Sequence, residues 1–150
     1  MAGATDHVAS SPDPATELSQ TLGLERVHLL DPTGRARVEY RAGLHMCHSG
    51  GVVQGGFVTG WIEAAMAHAA IAMAGPDIVP MSLEQKVSFF APVRPGPVFA
   101  EGWVERRGRA TCFFEGSLSD SSGNVLAKAS STVMLASRER VQAASSSVVR

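Results

Sequence analysis

Glu63 is the residue whose type and setting point most directly to chemistry. It is the single carboxylate in a long apolar run, Phe57 to Met73, with no proline before Pro76. A carboxylate buried among apolar groups is costly unless partnered, so it tends to shift its pKa or to serve a function. Its helical neighbours Thr59, Gly60 and Ala67 are small, which leaves room for a ligand beside it. Ahead of the run stands a glycine-rich turn with Gly50, Gly51, Gly55 and Gly56. Glycines there let backbone approach a ligand closely, and the first N–H groups of a helix are left free to donate. Cys47 beside His48 invites a Cys–His nucleophile, but adjacent side chains rarely meet in hydrogen-bond geometry. His68 lies five residues after Glu63, so it points away and reads as a satisfied core histidine. No set of His, Cys and carboxylate residues falls at metal-ligand spacing, and no metal is expected.

The elements that would position these groups follow from the pattern. Phe57, Val58, Trp61, Ile62, Ala65, Met66, Ala69 and Ile71 cover the whole circumference of the run, which predicts a helix buried on every side. Residues 1–13 are small and polar and read as a disordered tail, with Asp13 as cap for a short helix from Pro14 to Leu22. Strands are predicted over Glu25–Leu30 and Ala36–Arg41, joined by the turn Asp31-Pro32-Thr33-Gly34. After the helix, Met81 to Phe89 alternates apolar and polar, with Gln85 the one polar residue on the apolar side. Strands over Val98–Glu105, Ala110–Leu118 and Asn124–Ala136, separated by Arg106–Arg109 and Asp120–Gly123, make an antiparallel meander. One domain over 14–136 results, α+β in class, with the sheet wrapping the long helix. Residues 137–150 read as a flexible polar tail.

At 150 residues the chain is long enough for one proper core. Its formal charge of −1 and lack of a strong basic patch give no electrostatic case for nucleic acid or an anionic membrane. Two cysteines and six methionines, with no charged-then-apolar leader, make a reducing cytoplasm the default. The apolar run nears membrane-spanning length, but Glu63 and His68 fall in its middle, Gly60 interrupts it, and no Lys or Arg flanks it closely.

Taken in order, His48, Gly51, Gln54-Gly55-Gly56, Glu63, Phe89-Phe90-Ala91-Pro92, Gly108-Arg109 and the Asp120–Gly123 turn resemble the hotdog-fold thioesterases. The likeness is to the branch with phenylacetate-pathway and 4-hydroxybenzoyl-CoA thioesterases, and it spans residues 35 to 136. Two positions depart from it: Gln54 stands where the family usually has histidine, and His48 where it usually has Asn or Gln.

The resemblance implies a hotdog fold and hydrolysis of an acyl- or arylacyl-CoA thioester, with coenzyme A as part of the substrate and no other cofactor. It makes Glu63 the nucleophile or the general base, and the Gly55 N–H the group that polarises the thioester carbonyl, aided by the helix dipole. His48 would hold a water or the carbonyl, or act as a base near neutral pH; a packed or solvated loop histidine is as good a reading. Ser82 would orient carboxylate or water, beside the reading as a plain strand serine. Gly56, Thr59, Phe57, Trp61 and Phe89 would meet the substrate, although the aromatics serve equally well as core. Arg109, in the cluster with Arg106 and Arg107, would meet coenzyme A phosphates, against the usual solvated hairpin tip. Eight helical residues separate Gly55 from Glu63 by roughly 12 Å, too far for one small thioester group. Two helices must then contribute, which implies a homodimer with sites at the interface, and the resemblance extends this to a homotetramer of two dimers. His48, Gln54 and Gly55 of one subunit would face Glu63 and Ser82 of the other. Two rivals stay open: a non-catalytic acyl-CoA-binding or regulatory module on the same fold, and a hotdog enoyl-CoA hydratase, whose usual Asp/His motif is not seen.

Overall fold

The computed structural model describes residues 14–148, so the expected tail over 1–13 and Asp13 as a cap lie outside the described residues. Helix α1 (Pro14–Thr21) leads into strands β1 (Leu24–Asp31) and β2 (Arg35–Ala42). Their turn closes where the Gly34 N–H donates to the Asp31 carbonyl at 2.9 Å. A 3-10 turn (Leu44–Met46) and a short hairpin, β3 (Cys47–His48) with β4 (Val52–Val53), deliver the chain to helix α2 (Gly55–Ala74). Strands β5 (Ile78–Phe89), β6 (Gly96–Arg107), β7 (Thr111–Ser119) and β8 (Val125–Ser137) follow, and then helix α3 (Arg138–Val148). The six long strands form one antiparallel sheet in the order β1-β2-β6-β7-β8-β5, wrapped on α2. The fold is the hotdog arrangement expected from the sequence.

Trp61, Ile62, Ala65, Met66 and Ala69 of α2 are fully buried against the sheet. The helix backbone comes so near that a Cβ on Gly102 of β6 would stand 2.5 Å from the Met66 nitrogen, and one on Gly116 of β7 would stand 2.5 Å from the Ile62 side chain. The helix is not buried on every side, however. One sheet covers one face, and Gly56, Glu63 and Ile71 on the other face are exposed in the chain.

Two further expectations change. Strand β5 does not alternate without interruption: its register with β8 shifts between Ser82 and Glu84, leaving Leu83 as a bulge. The extra residue flips the side-chain phase. Ser82, opposite the buried Val133, therefore faces α2, as does Gln85 opposite the buried Ser131. The polar segment from Ser137 onward is also not a frayed tail. It forms α3, whose first turn is held by the Ser137 hydroxyl accepting from the Arg140 N–H at 3.3 Å. The Arg138 guanidinium donates to the Pro76 carbonyl at 3.0 Å, and the Arg138 N–H to the Asp77 carbonyl at 2.8 Å.

On the sheet face away from α2, Arg35 and Arg37 of β2 pair with Glu101 of β6. Partial burial raises the Glu101 pKa, but hydrogen bonds and charge from the two arginines outweigh it and hold the carboxyl below its ordinary 4.5. A folded pKa below the unfolded one contributes stability that is present above pH 4.5 and lost as pH falls through the folded value. Glu101→Gln should therefore lower Tm at neutral pH, with a deficit that shrinks in melts taken below pH 4.5.

Candidate active site

The hairpin of β3 and β4 sets the start of α2. Gln54 is pinned by its N–H donating to the Met46 carbonyl at 2.9 Å, and it stands extended, at φ −64° and ψ 135°, as the cap of the helix. Its side-chain oxygen accepts the Gly56 N–H at 2.7 Å, which satisfies one of the orphan donors of the first turn. The Gly55 N–H is left without a protein acceptor among the described residues. The Phe89 ring stacks over Gly55, where a Cβ would come within 3.3 Å of it. Thr59 donates its hydroxyl to the Gly55 carbonyl at 2.9 Å, and so braces the same turn.

Strand β5 runs antiparallel to α2 along the uncovered face, which fixes what meets what. Phe89 lies at Gly55, the Gln85 amide donates to the Thr59 carbonyl at 3.3 Å, and Ser82 shares a cleft with Glu63. Two hollows result. One of about 390 Å³ lies at Gly55, under Phe89, Phe90 and Val93. The other, of about 340 Å³, lies at Glu63. Glu63 is exposed, not buried as its apolar run suggests, and among the described residues it has no ion pair or hydrogen-bond partner.

The remaining expected residues divide. His48 is exposed on the hairpin that delivers Gly55, and its Nδ1 pairs with the Ser49 carbonyl at 2.8 Å. Phe57 is half-buried against Trp61, with ring centroids 6.4 Å apart. Trp61 is not a lining residue. It is 0% exposed, packs on Tyr40, and donates its indole N–H to the Leu22 carbonyl at 2.7 Å. Arg109 is not brought to Gly55 within one chain: its hairpin adjoins Val104, which lies beside Met73 in the last turns of α2. His68 is satisfied on its own helix, with Nδ1 at 2.7 Å from the Ala64 carbonyl. Cys47 and Cys112 are both free thiols, and no group of His, Cys and carboxylates among the described residues is arranged to hold a metal. Sequence reasoning missed Leu18 and Leu22 of the α1 region, which wall the Glu63 cleft; no motif marks them, because only the tertiary fold lays α1 across α2.

The model of the thioesterase superfamily matches residues 50–127, from the glycine turn into β8. The chain belongs to that superfamily. No curated protein matches it by sequence. Among solved structures it is similar to a phenylacetic acid degradation-related protein of Ralstonia eutropha JMP134 described as a candidate thioesterase. The two are 28% identical over 84% of this chain and 93% of the other, with a TM-score of 0.73. The conserved protein PA5202 of Pseudomonas aeruginosa is 26% identical over 82% of this chain and 100% of its own, again at 0.73. A hypothetical thioesterase protein of Streptococcus pneumoniae TIGR4 solved with coenzyme A shares the fold at 14% identity over 75% of this chain and 88% of that one, with a TM-score of 0.69. This superfamily member is a thioesterase, and its class of reaction is thioester hydrolysis.

The cap can be tested apart from the chemistry. Gln54→Ala leaves the Gly56 N–H unpaired and should cost about 1 kcal/mol, seen as a Tm lower by a few degrees in thermal melts.

Proposed function

We propose that the protein hydrolyses an acyl- or arylacyl-CoA thioester to the free acid and coenzyme A, with the Gly55 N–H and Glu63 as its working groups. The observation that carries this is the unpaired Gly55 N–H at the positive end of a 20-residue helix, with an unpaired carboxylate on that helix's open face. A donor there matches the oxyanion that forms when the carbonyl is attacked, and the helix dipole favours the same charge. Glu63 either takes a proton from the attacking water or attacks the carbonyl itself. In the second route an anhydride forms, the thiolate leaves and is protonated, and water then releases the acid. Ser82, on the Glu63 cleft, orients the carboxylate or the water. His48, on the Gly55 hairpin, holds the water or the carbonyl. Gln54 acts by fixing the first turn, and Gly56 and Thr59 shape it. Coenzyme A fits this chain because the streptococcal relative was solved with it, and Arg109 is the cation proposed for its phosphates.

About 12 Å of helix rise separates Gly55 from Glu63, so one thioester needs Gly55 of one subunit and Glu63 of another. The protein is therefore at least a homodimer. The open face of α2 and the edge strand β5, with Met81, Leu83 and Phe89 exposed on it, support that pairing. Two such dimers make the proposed homotetramer. Two free thiols suit the cytoplasm as its compartment.

Thiol release from short-chain, medium-chain and arylacyl-CoAs tests the reading. Glu63→Gln should lower turnover by about 10³ or more in a folded protein. Gly55→Pro removes the N–H at the first helical position, where proline is tolerated and the extended Gln54 before it is compatible; it should also be nearly inactive. Mixed so that subunits exchange, the two inactive variants should recover about a quarter of wild-type turnover, since each hybrid dimer holds one intact site. No recovery would rule out the shared site, and wild type that binds acyl-CoA without releasing thiol would rule out the enzyme.

A further inference from the structure

Gly60 is the one glycine inside α2 beyond its first turn, and the fold does not require it. A Cβ built there meets nothing nearer than the Leu22 side chain at 3.5 Å, an ordinary contact, whereas Gly102 and Gly116 have no room for one. Glycine weakens a helix relative to alanine, so its presence calls for a reason outside local packing. What it keeps open is the cleft beside Glu63. Leu18 and Leu22 form its outer wall, Gly60, Ala64 and Ala67 one side, and Pro80 the other. The buried Met66 and Val133 also line it, so the cleft runs inward to the core. Glu63 and Ser82 are its only polar side chains. The hollow at Gly55 also reaches buried residues, Val53, Val58 and Val93, but its rim is Phe89 and Phe90, both more than half exposed, and it holds no carboxylate.

We propose that the Glu63 cleft seats the acyl group of the substrate, and that Leu18 and Gly60 set how large that group can be. The proposal rests on the thioesterase reading above and adds the substrate class. An apolar wall cannot replace the water lost by a charged acyl group, so the accepted acyl group is uncharged and mainly apolar. The volume of about 340 Å³ is roughly twice the ~150 Å³ cavity that holds benzene. It therefore suits an arylacyl or medium-chain group better than acetyl. Leu18, 59% exposed on a helix of only 8 residues, is a wall that can be trimmed without opening the core.

The test is kcat/KM over acetyl-, butyryl-, octanoyl-, dodecanoyl- and phenylacetyl-CoA for wild type, Leu18→Ala and Gly60→Leu, with sedimentation velocity on each. Wild type should prefer octanoyl- or phenylacetyl-CoA to acetyl-CoA. Gly60→Leu should lower the octanoyl-to-acetyl ratio by about tenfold or more, and Leu18→Ala should raise the dodecanoyl-to-octanoyl ratio by about tenfold, with the assembly state unchanged. Ratios within twofold of wild type in both folded variants would overturn the proposal. So would a Gly60→Leu protein that dissociates while its ratio stays put, since the glycine would then serve the approach of a partner helix. If wild type releases no thiol from any of the five, the thioesterase reading fails by itself, and calorimetric binding of the same compounds reads the cleft. Affinity that grows with acyl size and falls in Gly60→Leu would sustain it; binding that is absent or indifferent to acyl size would overturn it.

Discussion

The backbone of α2 rests on β6 and β7 at a separation only glycine permits. Gly102 and Gly116 stand beneath Met66 and Ile62, and a methyl group at either would collide with the helix. Because the helix sits that low, Trp61 can reach past it to the Leu22 carbonyl and stack on Tyr40, sealing one side of α2 into the core. The same depth fixes the axis of α2 against the sheet, and so the position of both its first N–H groups and Glu63. Interiors are close-packed, so such a contact transmits small displacements rather than absorbing them. The site inherits its geometry from two glycines that stand beneath its helix, on the side away from Glu63.

That seating also determines what is left open. A sheet that wraps one face of a helix leaves the other uncovered, and here the uncovered face is apolar apart from Thr59 and Glu63. Strand β5 ends the sheet alongside it with unpaired edge groups and exposed Leu83 and Phe89. Open apolar surface of this kind marks a place where something binds. The proposed dimer and the proposed acyl cleft both draw on this face, one along the strand edge and one under α1.

Much of this was legible in the sequence because it is local. The Asp31–Gly34 turn, the glycine stop at Gly75 and the hairpins of the meander each depend on a few adjacent residues, and the elements fall within a few residues of their expected limits. What local pattern could not carry was which side of an element faces what. Alternation places Ser82 on the outer face of β5, and only the bulge at Leu83, visible in the pairing with β8, turns it to α2. An all-apolar helix looks the same in sequence whether its own sheet or a second subunit covers it, so Glu63 reads as buried when it is exposed in the chain. The segment after Ser137 carries only a thin apolar stripe, Val141, Ala144 and Val148, in an otherwise polar run, and its first turn is held by Arg138 reaching back to Pro76, which is distant in sequence.

Hydrogen bonding sorts the expected site residues into those that hold and those that remain free. Gln54 spends its side-chain oxygen on Gly56, Thr59 its hydroxyl on Gly55, and Trp61 its indole N–H on Leu22. These three are committed within the chain and act by rigidity. The Gly55 N–H, the Glu63 carboxylate and the Ser82 hydroxyl have no such partner among the described residues. Among the described residues every buried side-chain polar atom is satisfied, and these three groups, exposed or partly exposed in the chain, are the ones open to a reacting group. The change of residue at 54 fits this division. A histidine there would bring a titrating group to the helix cap, whereas the glutamine amide keeps the cap neutral, so the polarity of the first turn comes from the backbone alone. In the proposed reaction the electrostatic aid to the thioester carbonyl is then a fixed property of α2.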